Sequence, residues 1–183
     1  MKIEYIIAMK QLILVLAVIL VCSCGTTNVV YDYDEQQDFS KYKTYAFFPD
    51  MNSGLSDIDQ KRLISVTEAA MNSKGFTRSD IPDIFLNFET VFSKQASNNN
   101  LGVGLGGGGG GGINVGVGGN IPIGGPLTYL ELTLDFVDVK NDALVWQAIT
   151  RKRFYPNATP EKRRMFFQKV IEKALVKYPP QQK

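Results

Sequence analysis

The sequence predicts one α+β domain: a two-layer sandwich in which two amphipathic helices cover one face of a mixed sheet of four to five strands. Three observations predict it. A strand pattern, a helical pattern and a second strand pattern follow one another between residues 43 and 92, as in a βαβ unit. A strand pattern from Leu127 to Val139, with Leu130, Leu132, Leu134 and Phe136 on one face, is followed by a turn signal and a further strand, as in a hairpin. A second helical pattern closes the chain from Pro160 to Tyr178.

The elements follow in order. Val29 to Tyr33 is a strand, because valine and tyrosine favour extended backbone. Asp38-Phe39-Ser40-Lys41 reads as a turn, and Lys43 to Phe48 as a strand stopped by Pro49. A helix runs from Asp57 to Lys74, with Ser56 as its cap and Asp57 and Asp59 favourable in the first turn. Its expected buried stripe is Leu63, Val66, Ala70 and the stem of Lys74, widened by Ile64 and Met71. Gly75 suits the left-handed position past the helix end, and Phe76 folds back on the last turn.

Pro82-Asp83 opens a strand from Ile84 to Phe92, apolar on both faces at first, as a central strand is. In the hairpin, Leu130, Leu132, Leu134 and Phe136 share one face, and Asn141-Asp142 marks the turn into Leu144 to Phe154. If Phe136 and Trp146 both face the core, they pair directly. Asp135 then opposes Gln147 and Glu131 opposes Arg151. That register requires a three- or five-residue loop centred on Asn141, or a bulge. The last helix takes Thr159 as cap and Pro160 as its first residue. Phe167, Val170, Ile171, Ala174, Leu175 and Tyr178 form its apolar stripe.

With both helices on one side, the other face of the sheet is open and polar. Asn87, Glu89, Glu131, Thr133 and Asp135 fall there, and Glu89, Glu131, Asp135 and Arg151 are the candidate open-face surface. Residues 95–126 form a long glycine-rich insertion, expected to be flexible. Fourteen of the seventeen glycines lie between Gly102 and Gly125, seven of them consecutive, Gly106 to Gly112. Glycine loses the most backbone entropy on ordering and has no side chain to bury. A G-x-G-x-x-G match in such a run opens no helix and carries no nucleotide site.

The N-terminus carries a different kind of signal. Lys10 precedes an unbroken apolar run, Leu12 to Cys22, too short to cross a bilayer as a helix. Val21-Cys22-Ser23-Cys24 then resembles the lipobox of bacterial lipoproteins. Residues 1–23 read as the signal peptide, with Met9 an alternative start, and residues 24–28 as the lipidated cysteine and its tether. The domain itself is expected over 29–180.

Composition narrows the chemistry. There is no histidine, and Cys22 and Cys24 are the only cysteines. The mature chain therefore has no Ser-His-Asp or Cys-His catalysis and lacks the usual ligands of zinc. Asp32, Asp34 and Glu35, the one tight acidic cluster, do not have calcium-loop spacing. No metal or cofactor is expected. Charge is near balance overall, which gives no reason to expect nucleic acid. It is uneven locally: seven acids and two lysines from Asp32 to Asp59, nine basic residues and two acids from Arg151 to Lys177. Such runs are ordinarily solvated surface; the sharper reading of the second is a basic face near phosphate-bearing lipid or polysaccharide.

The stretches VVYDYDEQQDFSKYKTYAFFP (29–49), MNSKGF (71–76), IPDIFLNF (81–88) and LELTLDFVDVKNDALVWQA (130–148), with a C-terminal helix ending KYPP, resemble the bacterial lipoprotein family named domain of unknown function 4136. The resemblance implies a secreted or outer-membrane lipoprotein, and supplies no activity and no catalytic residue. The resulting expectation is a non-enzymatic envelope lipoprotein, a binding or assembly module. Its expected partners are the membrane, through the lipid on Cys24, and an envelope protein, with the chain monomeric or weakly oligomeric. Gly25 in place of aspartate after the cysteine points to the outer membrane, and the lack of an acidic run immediately after it points to the periplasmic side. One alternative is an accessory subunit of an envelope transport or assembly machine. Another is a glycan-acting enzyme using paired carboxylates among Glu89, Glu131 and Asp135.

Overall fold

The computed structural model describes residues 27–96, 100–103, 119–122 and 125–180. The elements run β1 (Asn28–Tyr33), a 3₁₀ turn (Phe39–Lys41), β2 (Thr44–Phe47), α1 (Asp57–Ser73), β3 (Thr77–Arg78) and β4 (Ile84–Gln95). They continue with β5 (Asn100–Val103), β6 (Gly119–Pro122), β7 (Leu127–Asp138), β8 (Ala143–Phe154), α2 (Pro160–Ala174) and a 3₁₀ turn (Leu175–Lys177). The signal segment, Val21, Cys22, Ser23, Cys24 and Gly106 to Gly112 lie outside the described residues.

The fold is α+β, built on a mixed sheet in the order β1-β8-β7-β4-β2-β3. It has six strands rather than the four to five expected. The extra strand is β3, two residues parallel to β2 and too short to leave a periodic signal. Strand β2 also runs parallel to β4, with α1 between them in sequence, while β4, β7, β8 and β1 pair antiparallel. Within the expected insertion, β5 and β6 pair antiparallel as a separate two-stranded ladder.

Alternation fixes the core. Ile84, Leu86 and Phe88 on β4, and Leu130, Leu132, Leu134 and Phe136 on β7, are all fully buried. The buried faces of both helices join the same cluster. Tyr178 sits at its centre, its ring 4.3 Å from Phe136 and 5.1 Å from Trp146. The hairpin has the register that two core-facing aromatics demand: Phe136 opposes Trp146, Asp135 opposes Gln147 and Glu131 opposes Arg151. A bulge delivers it, with Val137 opposite Leu144 and Val145 the extra residue. The bulge carbonyl is not left bare, since Asp34 N–H donates to it at 3.0 Å.

Both helices depart from the sequence reading in detail. On α1 the fully buried positions are Leu63, Thr67 and Met71, with Asp59 nearly so, while Val66 and Ala70 lie at the margin and Lys74 is exposed. The stripe is turned because two polar groups are satisfied inside it. Thr67 Oγ1 donates to the Leu63 carbonyl at 2.8 Å, and Asp59 is paired with Arg62 and Arg163. The α2 helix stops at Ala174 and tightens into the 3₁₀ turn, yet every residue of its predicted stripe is buried. Gly75 has φ +85°, the left-handed conformation expected of it, and Phe76 N–H bonds back to the Met71 carbonyl at 3.1 Å.

Candidate functional site: the open sheet face and the groove at the chain-entry end

The strand registers place the predicted open-face residues in rows. Asn87, Asp135, Gln147 and Asp32 form one row across β4, β7, β8 and β1. Glu89, Thr133, Ile149 and Val30 form the next, and Val91, Glu131, Arg151 and Asn28 the third. Glu89, Glu131, Asp135 and Arg151 therefore do share one face. Asp135 is held by Gln147, whose Nε2 donates to it at 2.7 Å. The Glu131–Arg151 pair is in register, but no ion pair joins the two side chains. The Arg151 guanidinium lies instead over the Tyr129 ring, 4.9 Å from its centroid.

That stacking opens onto a groove. Strand β1 pairs with β8 from Trp146 to Arg151, and Lys152 to Phe154 continue β8 beyond the last of these pairs. A groove of about 600 Å³ lies along this stretch, lined by four cations, Arg151, Lys152, Arg153 and Lys169, with Tyr129 and Tyr155, and among the described residues by no carboxylate. Arg153 stacks on Tyr155 as Arg151 does on Tyr129, its guanidinium 4.9 Å from the ring centroid. Planar guanidinium on an aromatic face gives up little hydration and keeps its edge N–H groups outward. Lys152 Nζ donates to Thr27 Oγ1 at 2.9 Å, which ties the incoming chain to this edge. Among the described residues, none of the ion pairs involves Arg151, Arg153 or Lys169. The sequence showed the basic run; α2 brings Lys169 back to the strand that carries Arg151 and Arg153.

The other end of the sheet holds a cluster that sequence reasoning missed. Asp138 is buried at 2 % exposure at the end of β7. The Tyr42 hydroxyl donates to its Oδ2 at 2.6 Å, Asn141 N–H donates to Oδ1 at 2.8 Å, and Lys41 Nζ lies 3.3 Å away. Burial pushes the Asp138 carboxyl up, but these donors outweigh it and hold it below its ordinary value. Nearby, Asp83 Oδ2 accepts from Lys43 N–H and Thr44 N–H, both at 2.8 Å, and those bonds hold it low as well. Burial and the neighbouring carboxylate push the Tyr42 phenol well above its ordinary range. A neutral phenol, a carboxylate and an ammonium could in principle exchange protons. Here Tyr42 and Lys41 are spent on joining the 39–42 turn to the end of β7, which makes the cluster a structural clasp. Among the described residues there is no group of three or more histidine, cysteine, aspartate or glutamate side chains that could hold a metal ion. None of the described helices is long and apolar enough to cross a membrane.

Residues 29–180 match the family model described as "Domain of unknown function (DUF4136)". No curated protein matches the chain. Among solved structures, the fold is similar to that of a PDZ domain protein from Parabacteroides distasonis ATCC 8503, with TM-score 0.50 and 15 % identity. That likeness covers 86 % of this chain, which spans only 36 % of the other. A PelC dodecamer from Paraburkholderia phytofirmans is similar over 82 % of this chain and 96 % of its own, with TM-score 0.48 and 12 % identity.

Proposed function

The chain belongs to the DUF4136 family, and from that premise we propose that it is a membrane-tethered lipoprotein of the bacterial envelope, a binding or assembly module without catalytic activity. The observation that carries the proposal is the segment from Lys10 to Cys24: a positive charge, a short apolar run, and Val21-Cys22-Ser23 ahead of a cysteine. Lipid on Cys24 would be the anchor. One acyl chain binds a bilayer only marginally, with K of about 10⁴ M⁻¹, so the two or three chains of a bacterial lipoprotein would hold the domain firmly. Gly25 after the cysteine supports the outer membrane, the lack of an acidic run immediately after it supports the periplasmic side, and the chain would act as a monomer or weak oligomer with an envelope protein as its further partner.

The non-enzymatic reading is supported by the lack of any histidine or spare thiol and by the use of the best-buried carboxylate, Asp138, as a clasp. The test is metabolic labelling of the native host with a fatty acid. The wild-type protein should carry the label. Cys24→Ala should lose it and keep residues 1–23, since lipidation precedes cleavage in this scheme. Label that survives Cys24→Ala, or a wild-type protein that never takes it up, would remove the lipoprotein reading.

A further inference from the structure

We infer that the groove along the C-terminal end of β8 is a docking site for the phosphate groups of anionic lipid headgroups, so that the anchored domain rests on the membrane with this end down. The inference rests on the lipoprotein reading above and adds an orientation and a ligand to it.

Three observations carry it. The first is charge: Arg151, Lys152, Arg153 and Lys169 line the groove and, among the described residues, no carboxylate does. Glu131 lies one strand away, opposite Arg151, yet makes no ion pair with it among the described residues. Phosphate is the ligand that suits this set, because guanidinium presents a fork of donors to its oxygens while ammonium adds a point charge. The second is rigidity. Arg151 and Arg153 are braced on Tyr129 and Tyr155, each 4.9 Å from a ring centroid, which lowers the entropy lost on engaging a ligand. Tyrosine also suits the headgroup region, having an apolar ring and a polar tip.

The third observation is position. Lys152 binds Thr27, where the chain enters the domain. Cys24 is three residues earlier in sequence, and the start of β1 is four positions beyond it, a span of at most about 14 Å if fully extended. A lipidated Cys24 would thus hold the groove within headgroup distance of the bilayer. The opposite end of the sheet, with Asp34, Asp83 and Asp138, would then point away from a negatively charged surface. Polybasic segments gain most when they lie within a Debye length of such a surface.

The experiment uses the native full-length product, its lipidation established beforehand by mass, in two kinds of vesicle. One kind is phosphatidylethanolamine with phosphatidylglycerol, the other phosphatidylcholine alone. Hydrogen exchange is followed in the peptide that spans residues 151–157. Exchange should be roughly tenfold slower in the anionic vesicles, and the difference should collapse at high salt. Arg151→Gln with Arg153→Gln and Lys169→Gln should abolish the difference while leaving the melting temperature unchanged, which shows that the variant is folded. Equal exchange in both vesicles, from a protein known to be lipidated, would overturn the inference and leave the anchor intact. Inorganic phosphate alone reproducing the protection in phosphatidylcholine vesicles would also overturn it, by making the groove a small-anion site. A protein that carries no lipid fails earlier, at the mass measurement, and brings down the lipoprotein reading itself.

Discussion

The two ends of the sheet use charge in opposite ways. At the hairpin end, Asp138 is buried and Asp83 half-buried, and their oxygens accept hydrogen bonds from Tyr42, Asn141, Lys43 and Thr44. At the chain-entry end, Arg151 and Arg153 are turned outward, rest on tyrosine rings and face a groove. A buried carboxylate must be fully hydrogen-bonded or it costs several kcal/mol, so the hairpin end is bound to be structural. An exposed guanidinium needs no partner, so at the entry end charge is available for a ligand.

Removing the clasp should therefore have the largest effect on stability. Asp138→Ala strands the Tyr42 hydroxyl and the Asn141 N–H, and should cost about 2–4 kcal/mol in urea unfolding. Tyr42→Phe removes one donor from the carboxylate and should cost about 1–2 kcal/mol. If neither variant moves the unfolding midpoint, the cluster is not a clasp.

The pH dependence comes next in size. Asp83 and Asp138 are held below their ordinary values in the folded state. Their contribution is present above the unfolded carboxylate value, about 4, and is lost as pH falls through the folded values. Tyr42 is raised instead, so its contribution is present below the unfolded phenol value, about 10, and is lost as pH rises beyond it. Thermal melts across pH should show an acid limb that Asp138→Asn flattens. With no histidine in the chain, no imidazole step should appear between the two limbs. An acid limb equally steep in Asp138→Asn would place the titrating groups elsewhere.

The smallest effect should come from the entry end. Arg151→Gln with Arg153→Gln should change stability by less than ~0.5 kcal/mol, because both side chains are exposed and unpaired with any carboxylate. A loss as large as that of Tyr42→Phe would show that the arginines hold the fold, and the contrast between the two ends would disappear.

The sequence was readable where one periodicity covered a whole element. Leu130, Leu132, Leu134 and Phe136 alternate without interruption, and the hairpin register followed from the need to bury both Phe136 and Trp146. It misled where a polar side chain was satisfied internally: nothing in the spacing of α1 reveals that Thr67 bonds to Leu63 or that Asp59 meets Arg163, 104 positions away. The same limit hid the clasp. Tyr42 and Asp138 are 96 positions apart, and only the strand order β7-β4-β2 brings them together. Thr77 and Arg78 are too few to announce a strand. The registers put Glu89, Glu131, Asp135 and Arg151 on one face of the sheet, but the stacking that diverts Arg151 from Glu131 depends on rotamers that spacing does not encode. The basic groove was half visible, as a run of positive residues whose convergence depends on where α2 lies.

On the proposed reading, Cys24 carries the anchor. The mass of the N-terminal peptide of the protein isolated from membranes of the native host decides whether it does. The prediction is a chain that begins at Cys24 and carries two or three acyl chains on that residue. An unmodified Cys24 in a chain that still retains residues 9–23 would contradict it.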